Sequence, residues 1–495
     1  MAILNLPTEL LVDITSRLQS DFESQQIYSI ALSCRTLYSR LQSLLSERIT
    51  IRCGTPAYHL LLRTLREDAT YAEHVRCLTL TANKLHNNED VHVHVFLTAF
   101  HNLTSLHIIH PVGELISRRT WMGVVLALLT SPHYHARRSL RILSIQAPNS
   151  VVDGFILFNL MTFPNLDSIM MCAKDGLDAN VSPNQCVWSS SLQHVDLSRP
   201  RYINSRQMSH AHLLDVVTHC PNIRSLACNI PCPNPQQNPF GPPHDIFSAQ
   251  KMNATLESLA AKLTTLHLRT TWQKCMLTDR QANYTRISTG YHLDLSSFTV
   301  LRELCVSAQC YFSSTRPFPR QFGICELLPK SLEKLEIEYP LGIPIFHPMD
   351  DFRAVVTNTL RGIEPTHPSI SRDTAPESLY KWLSDMVFYK PLRLPKLKQL
   401  TLREDEYCPG QYPKYIATTY PYPSKIYAAF KEVSVDYSAQ VRTDREAVMD
   451  PKDIAWAADL SSETESAFPK HPGWSRAEGP VKGEGSTRTF DDAGS

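Results

Sequence analysis

One short pattern, apolar-x-x-apolar-x-apolar, recurs eleven times after residue 70 and constrains the fold more than any other feature of the chain. The copies are Val75-Leu78-Leu80, Leu103-Leu106-Ile108, Leu140-Leu143-Ile145, Leu166-Ile169-Met171, Leu192-Val195-Leu197, Ile223-Leu226-Cys228, Leu263-Leu266-Leu268, Leu301-Leu304-Val306, Leu332-Leu335-Ile337, Leu397-Leu400-Leu402 and Phe430-Val433-Val435. In each, the last two apolar positions are two apart, so on a strand they point to one face. One or two copies would arise by chance in any Leu-rich protein. Several copies also share a lead-in: Pro-Asn before Leu166 and Ile223, Pro-Lys before Leu397, and Ser before Leu140, Leu192 and Leu332.

This pattern resembles the strand signature of leucine-rich repeats. Between copies lie helical candidates at residues 120–129, 208–219 and 378–389. Strand alternating with helix implies an α/β fold with a parallel sheet and helices on its outer face. Copies start 26 to 65 residues apart, so the array is irregular. The Asn or Cys that the family carries after the strand is mostly absent. The solenoid is expected over 73–440, with insertions at 231–253, 338–395 and 404–426. The first insertion is proline-rich and reads as an extended loop. The second holds helical candidates near 350–360 and 378–389. The third gathers Tyr407, Tyr412, Tyr415, Tyr420 and Tyr422 among prolines. Long loops of repeat proteins often form the binding surface, and Tyr is favoured at interfaces.

The first forty residues carry a different signal. Pro7 suits a first helical position. Leu10, Leu11, Ile14 and Leu18 share a helical face. Ser20 and Glu23 have capping-box spacing for a second helix. Ile27, Ile30, Ala31, Cys34, Leu37, Tyr38 and Leu41 then recur at helical spacing. Leu6, Pro7, Glu9, Leu10, Leu11, Ile14, Leu18, Cys34, Arg35 and Leu37 together resemble an F-box, the helical module that docks a protein onto a Skp–cullin ubiquitin ligase. Asp21–Gln26 is more polar than the family's usual run, and Leu37-Tyr38 stands where the family carries Trp. The resemblance implies a helical module over 1–48 and a helical connector over 49–72. It implies that Leu6, Pro7, Leu10, Leu11, Ile14, Leu18, Ile30, Cys34 and Arg35 form the adaptor-binding module, with Pro7 and Ile14 foremost. The implied partners are a Skp-family adaptor, through it a cullin, and a protein substrate.

Net charge is +1, from 49 basic and 48 acidic residues, and nothing in it suggests a general nucleic-acid or membrane-surface binder. No apolar run reaches membrane-spanning length, and no secretory signal opens the chain. The 13 cysteines read as reduced, buried residues of a cytoplasmic or nuclear protein. Residues 450–495 are polar and read as a disordered tail.

No phosphate-binding loop, dinucleotide fingerprint, nucleophile elbow or HExxH motif occurs. The best metal candidate is His210, His212, His219 and Cys220 with Cys228 and Cys232. However, Cys228 occupies an inward repeat position, which favours a core role. His92 and His94 alternate with Val91, Val93 and Val95, as one face of a strand would. The chain therefore reads as a non-catalytic subunit without cofactor. The implied role is a substrate receptor of a ubiquitin ligase. The alternative is a repeat scaffold with no ligase role, and a zinc enzyme is a distant third.

Substrate contacts are expected from side chains alternating with the buried ones: Thr79, His107, Ser144, Met170, Asp196, Ala227, His267, Cys305, Glu336, Thr401 and Ser434, with Arg269 as a neighbour. The later strands concentrate charge. The expected recognition residues are Lys334, Glu336, Glu338, Arg403, Glu432 and Asp436, with Tyr412 and Tyr415 from the loop.

Overall fold

The computed structural model describes residues 47–82, 90–109, 125–131, 134–151, 154–175, 191–198, 210–229, 248–269, 291–312, 322–339, 381–404, 415–420 and 424–444. The F-box-like residues Leu6 to Arg35, Tyr412, the helical candidate at 350–360 and the tail 450–495 lie outside these.

The Leu-x-x-Leu-x-Leu pattern forms strands because each copy offers two inward apolar side chains at period two. The strands are β1 (Arg48–Arg52), β2 (Cys77–Thr81), β3 (Ser105–Ile109), β4 (Ile142–Val151), β5 (Ser168–Asp175), β6 (His194–Asp196), β7 (Ser225–Asn229), β8 (Thr265–Arg269), β9 (Glu303–Ser307), β10 (Lys334–Tyr339), β11 (Gln399–Glu404), β12 (Tyr415–Tyr420) and β13 (Asp436–Asp444). Twelve of them, β1 to β11 and then β13, pair in parallel in that order. They belong to a unit comprising Met1–Pro413 and Thr419–Arg442; most of β12 and the end of β13 fall in a second unit, Lys414–Thr418 and Thr443–Ser495. Sequence-adjacent strands being sheet-adjacent throughout is the solenoid order.

Register is uniform along the inward row, and β4 shifts against β5 only beyond it, between Ala147 and Val151. Leu78, Leu106, Leu143, Ile169, Val195, Leu226, Leu266, Leu304, Leu335 and Leu400 stand in one row across the sheet. All are buried. Each such side chain stabilises the fold by roughly 1.5–3 kcal/mol relative to exposure. A one-residue slip on any strand would turn its pair outward, so the core itself fixes the register.

Helices supply the other half of the core. The longer ones are α1 (Pro56–Glu67), α2 (Asp90–Ala99), α3 (Gly154–Met161), α4 (His210–His219), α5 (Ala249–Leu256), α6 (Lys381–Arg393) and α7 (Ser424–Glu432). Thr55 caps α1 by accepting from the Tyr58 amide at 3.3 Å, and Pro56 opens it. Tyr58, Leu61, Leu62 and Leu65 form its buried stripe. Phe96 and Phe100 of α2 and its following turn join the same cluster as Leu78 and Leu80.

The shared lead-ins tie neighbouring repeats together. Ser139 Oγ donates to His101 O at 3.0 Å, Asn165 Nδ2 to Arg138 O at 2.6 Å, Ser191 Oγ to Pro164 O at 3.1 Å and Ser331 Oγ to Leu301 O at 2.7 Å. Backbone amides before each strand extend the same ladder, as from Arg141 to Thr104 O and from Asp167 to Arg141 O, both 2.8 Å. These bonds satisfy turn carbonyls that no helix or strand reaches.

Three local expectations are corrected. The 49–72 segment holds α1 and a short helix at Tyr71–His74, but β1 precedes them because Ile49 and Ile51 alternate at strand period. His92 and His94 lie on a helix, not a strand. Phe96, Leu97 and Phe100 bury at spacing i, i+1, i+4, and that helical stripe outweighs the upstream alternation. The last repeat is four residues later than its motif suggests. Its inward pair is Tyr437 and Ala439, opposite Leu400 and Leu402. Val433 to Val435 instead closes α7: the Val435 amide donates to Phe430 O at 2.9 Å and the Ser434 amide to Lys431 O at 3.1 Å. That is a Schellman motif, with Ser434 in the left-handed region at φ 58°. The outward residue of this strand is therefore Ser438, not Ser434.

The insertions also carry structure. Helix α5 begins inside 231–253, α6 inside 338–395 and strand β12 inside 404–426.

Candidate functional site

Residues that alternate with the buried pairs point to the opposite face of the sheet. The register aligns them in a row: Thr79, His107, Ser144, Met170, Asp196, Ala227, His267, Cys305, Glu336, Thr401 and Ser438. A second row, two residues further along, includes Asn229 beside Arg269, and Ser307, Glu338 and Arg403 on successive strands.

Charge concentrates on β8 to β11. Arg269 Nε lies 3.4 Å from Glu338 Oε1, with the carboxylate side chain 6% exposed. Arg403 Nη1 lies 3.2 Å from Glu336 Oε1, both partly buried. Lys334 Nζ meets Glu303 Oε1 at 2.7 Å at the start of the strands. That contact holds the Lys334 ammonium above its ordinary range, chiefly through the hydrogen bond to Glu303. Burial pushes the His267 imidazole down, and Arg269 adds to the effect; Glu336, Asp196 and Glu303 oppose it.

The structure thus brings Lys334, Glu336, Glu338 and Arg403 onto one face, but as members of ion pairs. Asp436 is exposed and opens β13 beside Gln399. Glu432 is not with them: it ends α7 and is exposed there. Tyr415 opens β12. Sequence reasoning passed over Asn229, Ser307 and Glu303. Each sits two residues from the middle outward position, so applying the strand period once more along each repeat would have found them.

Cys305, Glu336 and Glu338 bring three ligand-type atoms within 4.8 Å of one another. Arg269 and Arg403 already neutralise these carboxylates, and burial pushes the Cys305 thiol up to about 12, with Glu338 and Glu336 adding to it. A cation would have to displace two guanidinium groups and a tightly held proton, so the cluster is an ion-pair network. Of the sequence-based zinc candidates, Cys220 and Cys228 are buried, with thiols pushed by burial to about 12. His219 Nδ1 sits 2.7 Å from Asp215 O within its own helix. The side chains of His210 and His212, and Cys232, lie outside the described residues.

Ser105 Oγ lies 2.8 Å from His107 Nε2, a nucleophile-to-base distance. Burial lowers the His107 imidazole, and no carboxylate among the described residues contributes to that shift. A Ser–His contact without an orienting acid is a poor nucleophile.

No protein-family model matches the chain, and no curated protein matches it. No helix among the described residues is long and apolar enough to cross a membrane.

Proposed function

We propose that this chain is the substrate-receptor subunit of a Skp–cullin–F-box ubiquitin ligase. Residues 6–37 dock the Skp-family adaptor, and the outward face of the parallel sheet holds a protein to be ubiquitinated. The observation that carries the receptor half is the register itself. It places a mostly polar and charged row, interrupted by Met170 and Ala227, on one face of twelve adjacent strands, while the apolar pairs lie on the other. The adaptor half rests on the ordered resemblance of Leu6, Pro7, Leu10, Leu11, Ile14, Leu18, Ile30, Cys34 and Arg35 to the F-box pattern. Such a subunit makes and breaks no bonds. It raises the effective concentration of substrate at the conjugating enzyme, turning an encounter into an intramolecular event.

Co-expression of the full chain with a Skp-family adaptor tests this, with the double variant Pro7→Ala/Ile14→Asp beside it. Co-purification of the wild type that the double variant loses supports the ligase role. A folded wild-type chain that fails to bind the adaptor would leave a repeat scaffold without a ligase role.

A further inference from the structure

Helix α6 buries one side and leaves another bare. Leu383 and Met386 enter the cluster that holds the inward Leu335 and Leu400, which sets α6 on the helix side of the sheet. Phe388 and Leu392 stay outside that cluster. They are 75% and 64% exposed, the two most exposed large apolar side chains among the described residues. Single apolar residues on a surface are ordinary. These two stand at i, i+4 and share one helical face, with the exposed Pro391 beside them. The ridge is also braced from behind. The Phe388 ring meets Tyr389 edge-on at 4.8 Å, Tyr389 meets Phe322 at 5.0 Å, and the Arg393 guanidinium lies 3.9 Å over the Phe322 ring.

We propose that residues 350–360 of this same chain, which lie outside the described residues, pack on the Phe388–Leu392 ridge as an amphipathic helix. Phe352, Val355, Val356 and Leu360 fall at i, i+3, i+4 and i+8, which is one helical face. That face supplies the apolar cover the ridge lacks. Residues 361–380 join the segment to the start of α6. At up to about 3.4 Å per residue they reach much further than α6 is long, at about 1.5 Å per residue. A tether that short holds the segment at roughly millimolar local concentration. A second copy or a foreign partner has no such advantage on so small a patch. Charge agrees with this occupant. Residues 381–396 carry four basic residues, Lys381, Lys390, Arg393 and Lys396, against Asp385 alone, a net +3. Residues 340–380 carry five acidic residues against three basic ones, a net −2. Two of the acidic residues, Asp350 and Asp351, open the segment, where a helix favours negative charge.

The inference is independent of the ligase reading and bears on the opposite face of the sheet. From Tyr339 at the end of β10 the chain can turn to either face. Held on α6, residues 350–360 stay on the helix side, and the outward Glu336 and Arg403 are left uncovered by them.

The test uses the full chain without adaptor. Hydrogen exchange read by mass spectrometry compares the wild type with Phe388→Asp/Leu392→Asp, whose replaced side chains are exposed and leave the core contacts of Leu383 and Met386 in place. Amides of 352–360 should be protected in the wild type and exchange ~10-fold faster or more in the variant, while those of β10 and β11 are unchanged. From the other side, Phe352→Asp/Val356→Asp should raise the fluorescence of anilinonaphthalene sulfonate, a dye that lights up on bare apolar surface. Adding the ridge substitutions should abolish that rise. Light scattering gives the oligomeric state of each protein. Unprotected 352–360 amides in the wild type, protection that the ridge variant leaves intact, or a dye signal that ignores the ridge would overturn the proposal. A wild-type dimer that the ridge variant dissolves would overturn it too, by assigning the ridge to a second copy.

Discussion

Arg269 on β8 reaches over Ser307 on β9 to meet Glu338 on β10, 3.4 Å from Nε to Oε1. The bridge is possible because the residue between them is small and wholly buried. Glu338 is 6% exposed and Arg269 32%, so the pair is part of the sheet's face and not a solvated rim contact.

Breaking that pair should cost more than removing it. Glu338→Leu alone leaves the partly buried Arg269 guanidinium without the carboxylate it faces. A loss of about 2–3 kcal/mol is expected, below the value for a wholly buried pair because a third of Arg269 keeps water contact. The double variant Arg269→Met/Glu338→Leu should recover most of it. Urea denaturation of the four members of the cycle measures the coupling; additive losses would show that the two side chains act separately.

Ser434 holds a left-handed conformation at φ 58°, where a Cβ costs about 1 kcal/mol or somewhat more. Ser434→Gly should therefore stabilise the repeat that α7 and β13 form, by about 1 kcal/mol. A rise in Tm checks it. A fall would mean that the serine hydroxyl contributes more than the strain removes.

Leu402 is wholly buried in the inward row of β11. Leu402→Ala should cost 2–5 kcal/mol, roughly the usual range for a large-to-small core change. In a repeat array each unit leans on its neighbours, so the loss should appear as early hydrogen exchange in β10, β11 and β13 before the rest of the sheet opens. Uniform loss of protection across β2 to β13 would argue instead for one cooperative unit.

Burial lowers both His107 and His267 below the ordinary imidazole value of about 6.5. The unfolded chain therefore binds protons first as pH falls. Stability contributed by the neutral imidazoles is complete above about pH 6.5 and declines as pH drops from there through the folded-state values. The double variant His107→Gln/His267→Gln should flatten the stability profile below about pH 6.5 relative to wild type. Parallel profiles would assign the acid sensitivity to other groups.

Cys228 and Cys305 are buried, and their thiols are pushed by burial to about 12. Thiolate is the reactive form. Alkylation of these two sites, followed by mass spectrometry at neutral pH, should proceed only as the chain unfolds and should track the urea transition. Rapid labelling of the native chain at either site would show that the sheet opens locally around β7 to β9.

The repeat pattern by itself determined the strands and their inward faces. From Leu78 to Leu402 each apolar pair at period two is buried where it was expected, because side chains two apart on a strand share the face that packs against the helices. The lead-in serines and asparagines were legible as well, and their hydrogen bonds to the preceding turn explain why Ser139, Asn165, Ser191 and Ser331 recur. The charged outward residues Lys334, Glu336, Glu338 and Arg403 could be named from alternation alone. Only the tertiary structure decided what they do. Glu338 and Arg269 lie far apart in sequence and become neighbours because the array stacks β8, β9 and β10 side by side, and no local pattern encodes that distance. Likewise Val433 and Val435 match the strand motif, but the helix end at Phe430 to Ser434 claims them. Satisfying the last carbonyls of α7 outweighs a chance alternation of valines, and the true inward pair, Tyr437 and Ala439, is set by pairing with β11.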